Sequence, residues 1–83
     1  MYKLRYSPPV EAVWDSLPDQ ARDEFTRAIA AACDDPWKHT KPRGEDPRDV
    51  RRILHLQHTV AGLLIMEAAT FGRIYVDSLD YLS

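Results

Sequence analysis

Val50-Arg51-Arg52-Ile53-Leu54-His55-Leu56-Gln57 is the stretch in which this chain changes its hydrophobic period. Upstream, apolar residues recur every three or four positions. Here they alternate, which places Arg52, Leu54 and Leu56 on one face of a strand and Arg51, Ile53, His55 and Gln57 on the other. Two more strands follow. Val60 to Ala68 is more continuously apolar through Leu63-Leu64-Ile65-Met66, the pattern of a central strand covered on both faces. Arg73 to Leu79 sets Ile74 and Val76 against Arg73, Tyr75 and Asp77. His58-Thr59 and Thr70-Phe71-Gly72 are short enough to connect the three as an antiparallel meander.

Ahead of the meander lie a strand and two helices. Tyr2-Lys3-Leu4-Arg5-Tyr6 alternates, with Lys3 and Arg5 on the face opposite Tyr2, Leu4 and Tyr6. Ser7-Pro8 ends it and offers an N-cap followed by proline at the first helical position, where a missing N–H costs nothing. Val10, Val13, Trp14 and Leu17 form one helical stripe. Pro18 breaks that helix, and Asp19 is placed to cap the next through its carboxylate. Ala21, Phe25, Ala28, Ile29 and Ala32 form the second stripe, which Asp34-Asp35-Pro36 terminates. The expected fold is α+β in the order β-α-α-β-β-β, a helical hairpin on one face of a small, mainly antiparallel sheet. The other face is left bare, with Ile53, Leu63, Ile65 and Tyr75 expected on it, a surface suited to a partner.

The 83 residues allow one domain spanning 1–83, with 45% hydrophobic and 29% charged side chains. A chain of this size buries only about three fifths of its unfolded surface, so a second copy or a heterocomplex partner is expected to add stability. The single Cys33 has no partner for an internal disulfide and reads as a buried structural thiol. No Cys/His spacing suits zinc, so no metal or cofactor is implied. No apolar run approaches the about 18 residues needed to span a bilayer and the N-terminus lacks a signal-peptide core, so a cytoplasmic, non-membrane protein is expected.

The net charge of −2 hides a gradient. Residues 1–37 sum to −3 and residues 53–83 to −2, whereas residues 38–52 hold Lys38, Lys41, Arg43, Arg48, Arg51 and Arg52 against Glu45, Asp46 and Asp49, a local +3. This segment is a polyanion footprint in miniature, or else a charged solvated loop.

The element order, the opening Tyr2-Lys3-Leu4-Arg5-Tyr6-Ser7-Pro8, the Leu17-Pro18 hinge, the helix ending in Asp35-Pro36 and the Asp49-Val50-Arg51-Arg52-Ile53-Leu54 entry into the meander together resemble the RelE/ParE superfamily of bacterial type II toxin–antitoxin toxins. The resemblance spans nearly the whole chain. It implies a small cytosolic toxin held by a cognate antitoxin that lays a helix or strand against it. It also implies one of two activities: ribosome-dependent cleavage of messenger RNA, or binding inhibition of DNA gyrase without catalysis. A degenerate member that mainly binds its antitoxin is a further alternative.

RNA cleavage through the 2′-OH needs a proton acceptor, a proton donor for the leaving oxygen and cations for the phosphate. The alternation of the strands collects Arg51, His55, Glu67, Arg73, Tyr75 and Asp77 on the sheet face opposite the helices. Among them His55 is the candidate acid or base, Glu67 an alternative base, and Arg51 and Arg73 the phosphate clamps. Lys38, Lys41, Arg43, Arg48 and Arg52 would hold the RNA backbone. The resemblance also expects an arginine near the end of the last strand before a tyrosine. Tyr81 stands at the tyrosine, but Asp77 and Asp80 occupy the stretch where the cation is expected, so the cation would have to come from Arg73 or the basic loop.

Overall fold

The computed structural model describes residues 2–68 and 70–82. Its elements are β1 (Lys3–Tyr6), α1 (Pro8–Ser16), α2 (Asp19–Asp34), the single turn α3 (Pro36–His39), the two-residue β2 (Lys41–Pro42), β3 (Arg51–His55), β4 (Thr59–Ala68) and β5 (Phe71–Tyr81). The five strands form one sheet in the order β1-β5-β4-β3-β2. β1 runs parallel to β5, and the other neighbours are antiparallel. The fold is therefore α+β with a mixed sheet. α3 and β2, inside the basic segment, are additions to the order expected from the sequence.

Helix boundaries follow local chemistry. Ser7 occupies the N-cap of α1 with Pro8 behind it, although the serine side chain makes no capping hydrogen bond. Leu17 turns out of the helix, and the exposed carbonyls at its end are taken by an arginine of the next helix. Arg22 donates to Trp14 O at 3.3 Å, Asp15 O at 2.8 Å and Leu17 O at 3.3 Å, and its guanidinium stacks on the Trp14 ring at 4.8 Å. This one side chain ties the hinge together. Asp19 does not cap α2 through its carboxylate as the sequence suggested. Pro18 is the N-cap and Asp19 is the first helical residue, where its charge still favours the helix dipole. Asp35 ends α2 and then caps α3, accepting from Lys38 N at 3.3 Å.

The core lies between α1, α2 and one face of the sheet. Val10, Leu17, Ala21, Phe25, Ile29 and Ala32 meet Leu54, Ala61, Leu63, Ile74, Val76 and Leu79. The turn after β3 is docked on α2, because Glu24 accepts from Gln57 N at 3.3 Å and His58 N at 3.0 Å. Cys33 is half-buried rather than buried, and burial, with Asp34 beside it, pushes its thiol pKa up, away from nucleophile chemistry.

One assignment of faces is corrected. Leu63 and Ile65, expected on the bare face, are 0% and 2% exposed on the helix side. Their parity is set by pairing across strands: Arg52 lies opposite Leu63 and Ile65 opposite Ile74. The run Val60 to Met66, with no polar side chain in it, carries no alternation from which that parity could be read. The bare face takes Val60, Leu64 and Met66 instead.

Candidate nucleic-acid interface

The face of the sheet turned away from the helices can be laid out from the strand registers. Lys3, Arg73 and Met66 form a first row. Arg5, Tyr75, Leu64 and Arg51 form a second. Ser78, Gly62, Ile53 and Lys41 form a third, and Asp80, Val60 and His55 a fourth. Among the described residues, no helix covers this surface. Half-buried Tyr75, Leu64, Ile53 and Val60 make an apolar middle, with exposed Lys3, Arg5, Arg51 and Arg73 around it.

The basic segment folds back over this face. Arg43 follows β2, and its backbone N–H bonds Arg51 O at 3.0 Å. Its side chain crosses the sheet, donating to Arg52 O at 3.1 Å through Nε and to Asp77 Oδ1 at 2.7 Å through Nη2. Gly62 makes this crossing possible: a Cβ there would stand 2.1 Å from Arg43 Nη2. Asp77 reaches the site because the β4–β5 register shifts at Gly62/Leu63. Gly62 pairs with Ser78 and Leu63 with Val76, leaving Asp77 as the extra residue of a bulge.

Arg51 is held at its root. Asp49 accepts from Arg51 N at 2.9 Å and from its guanidinium at 3.3 and 3.2 Å, yet the Arg51 side chain remains 66% exposed. These bonds from Arg51 hold the Asp49 carboxyl below its ordinary value. Arg73 stacks over Phe71 at 5.0 Å. Among the described residues, only the Arg43–Asp77 and Arg51–Asp49 ion pairs form, which leaves Lys3, Arg5 and Arg73 without an acidic partner.

Three residues expected at the site lie elsewhere. Arg52, expected to hold RNA, is 3% exposed on the helix side. Its guanidinium donates to Thr40 Oγ1 at 3.0 Å, Thr40 O at 2.8 Å, Pro47 O at 2.9 Å and Trp37 O at 3.3 Å, and it stacks on Trp37 at 4.9 Å. It is the anchor of the basic segment, with no hand free for phosphate. Glu67, expected on the bare face as a base, shares the parity of Leu63 and Ile65. Tyr2 OH donates to its Oε1, as does Trp37 Nε1 at 2.8 Å. These two bonds, Tyr2 first, hold its carboxyl below the ordinary value, which suits a fixed acceptor and not a base. Tyr81 lies opposite Thr59, on the parity of Ala61 and Leu79, and so points to the helix side.

The remaining expected residues are spread out. Lys41 lies on the bare face opposite Ile53. Lys38 is exposed on α3, which packs with α2 on the other side, and Arg48 is exposed in the β2–β3 loop, with its backbone N–H bonded to Asp46 Oδ1 at 2.9 Å. His55 and Arg73 are six β4 positions apart by their partners Val60 and Met66, about 20 Å along the strands. They can serve different points of a bound chain but do not converge on one phosphate.

Lys3 and Arg5 are the cations that reading for a site passed over. Their alternation showed that they face away from the core. Only the parallel pairing of β1 with β5 shows that they stand beside Arg73 and Tyr75.

The helix side offers a different kind of hollow. A groove of about 240 Å³ between α1, α2 and β1 is lined by Leu4, Tyr6, Trp14 and Phe25, with Glu11 and Asp15 on it, a lining that repels anions. No group of three or more His, Cys, Asp or Glu side chains among the described residues could hold a metal, and no helix there is long and apolar enough to cross a membrane. No protein-family model matches the chain, and no curated protein matches it in sequence.

Proposed function

We propose that this chain is a toxin of the RelE/ParE type that acts by seating single-stranded RNA on its bare sheet face. One observation carries the reading. Lys3, Arg5, Arg51 and Arg73 surround Tyr75 and Leu64 on a surface that no helix covers. Cations at this spacing track a phosphate backbone, and an aromatic ring between them gives a base a stacking platform. His55 in the fourth row is the general acid or base that a cleavage reaction would use, with Arg51 the nearest unburied clamp on the same strand. An antitoxin would neutralise the toxin by covering this face or the groove beside β1.

A second reading, a toxin that binds its target without cleaving it, draws on the spacing itself. Glu67 and Tyr81 are off the face and His55 stands far from Arg73, so the face is better equipped to hold a chain than to break one. DNA gyrase is the target the resemblance implies for that case.

Induced expression with transcript mapping tests both. Growth arrest with cleaved transcripts, abolished by Arg51→Ala and by His55→Ala, supports the nuclease. Arrest with intact transcripts that still needs Arg51 supports the binding toxin. Growth unaffected by the chain in the absence of any neighbouring gene product sinks the toxin assignment.

A further inference from the structure

We infer that Asp77 is an internal occupant of a phosphate seat on the bare face, competing with a bound nucleic-acid backbone for the Arg43 guanidinium. This deepens the RNA-binding reading and rests on it. The geometry is particular. A β-bulge turns Asp77 toward Arg43, a glycine at position 62 clears the space beneath the guanidinium, and the ion pair closes at 2.7 Å. The pair sits in the third row of the face, between the row of Arg5, Tyr75 and Arg51 and the row of His55. A chain running from Arg73 toward His55 therefore has to pass over it.

The two partners remain 35% and 40% exposed, so water and anions reach the pair. An ion pair so exposed is weak, and a phosphodiester is a competent rival to a carboxylate for a guanidinium. When the phosphate takes Arg43, Asp77 is left beside it as a repulsive charge. The contact thus lowers affinity for any polyanion that does not offer enough additional contacts along the face. It acts as a threshold, favouring a long single strand over a mononucleotide or a free phosphate.

The test measures binding of a labelled oligouridylate to the full chain across a salt series. Asp77→Asn preserves shape and removes both the pair and the repulsion. It is expected to raise affinity about threefold to tenfold at low salt and to steepen the log–log salt dependence by about 0.7, the increment of one more neutralised phosphate on a single strand. Adding Arg43→Ala to Asp77→Asn should erase the gain. Gly62→Ala should expel Arg43 from its seat without changing any charge, and faster amide exchange at Arg43 would report the release independently of RNA.

An Asp77→Asn variant whose affinity is unchanged, while Arg51→Ala and Arg73→Ala weaken binding, overturns the threshold and leaves the RNA-binding face standing. A gain through Asp77→Asn that needs Arg43, in a protein indifferent to Arg51→Ala and Arg73→Ala, supports the seat and overturns the wider face. If neither the parent chain nor the Asp77→Asn variant binds the oligonucleotide, both fall.

Discussion

The two faces of the sheet are made from the same strands by opposite rules. On the helix side β3, β4 and β5 present Leu54, Ala61, Leu63, Ile74, Val76 and Leu79, all buried. One register position away, the same strands present Arg51, Leu64 and Tyr75 to solvent. The charges divide in the same way. Helices α1 and α2 carry Glu11, Asp15, Asp19, Asp23, Glu24 and Asp34 against Arg22 and Arg27, whereas the bare face carries Lys3, Arg5, Lys41, Arg43, Arg51 and Arg73 against Asp49, Asp77 and Asp80. A small net charge therefore conceals an acidic layer and a basic one, and the field at each surface, not the average, steers a charged partner. Arg51 and Arg52 condense the contrast: adjacent residues of one type, one anchoring the fold and the other reaching into solvent.

The largest test of the contrast is Leu63→Ala against Leu64→Ala. Leu63 is fully buried, and its truncation should cost about 2–5 kcal/mol by chemical denaturation. Leu64, half-buried on the open side, should cost less than half as much. Equal losses would mean that the bare face is covered in the folded protein.

Arg52→Ala should follow, at about 3 kcal/mol, because it strands the buried carbonyl of Thr40 and the part-buried carbonyls of Trp37 and Pro47. Arg52→Lys should recover only part of that, since an ammonium cannot span the same acceptors or stack on Trp37. Arg51→Ala should leave the denaturation midpoint unchanged.

Binding should show the reverse. Arg51→Ala and Arg73→Ala should each weaken oligouridylate binding by about threefold to tenfold and flatten its salt dependence by about 0.7, with melting temperature unmoved. Arg52→Lys, measured where it remains folded, should leave the salt slope as it was.

The smallest effect is expected at Glu67. Its carboxyl is held below the ordinary value of 4.5 by the Tyr2 hydroxyl and the Trp37 indole. A carboxyl depressed in the fold contributes stability that is present above 4.5 and is lost as pH falls through the folded value. Stability should therefore decline in the acid range, and Glu67→Gln should remove that part of the decline while leaving oligonucleotide binding unaffected. Loss of binding in Glu67→Gln would return this residue to the site.

Local chemistry was legible wherever it needed no distant partner. The Ser7-Pro8 start, the Pro18 break, the Asp35-Pro36 stop and the alternation from Arg51 to His55 all appear at the places their residues dictate, with strand ends displaced by a residue or two. The candidate site was legible in part, because alternation is enough to put Arg51, His55, Arg73 and Tyr75 on one side of their own strands. Glu67 was misplaced because its strand had first to be registered against its neighbours, and the same registration puts Tyr81, named through the resemblance alone, on the helix side. Arg52 was misread because a cation in a basic segment reads as solvent-exposed until Trp37, Thr40 and Pro47 close around it.

By itself, then, the sequence determined the kinds and order of the six main elements and the accumulation of positive charge between residues 38 and 52, since these depend on propensity, spacing and composition, whereas the short α3 and β2 appear only in the fold. The tertiary structure decided which face each strand shows, that β1 would add Lys3 and Arg5 to the basic side, and that Arg43 would meet Asp77 across Gly62. Those outcomes depend on strand order and register. A shift of one residue in register exchanges the two faces, and only contacts between residues far apart in the chain hold the register in place.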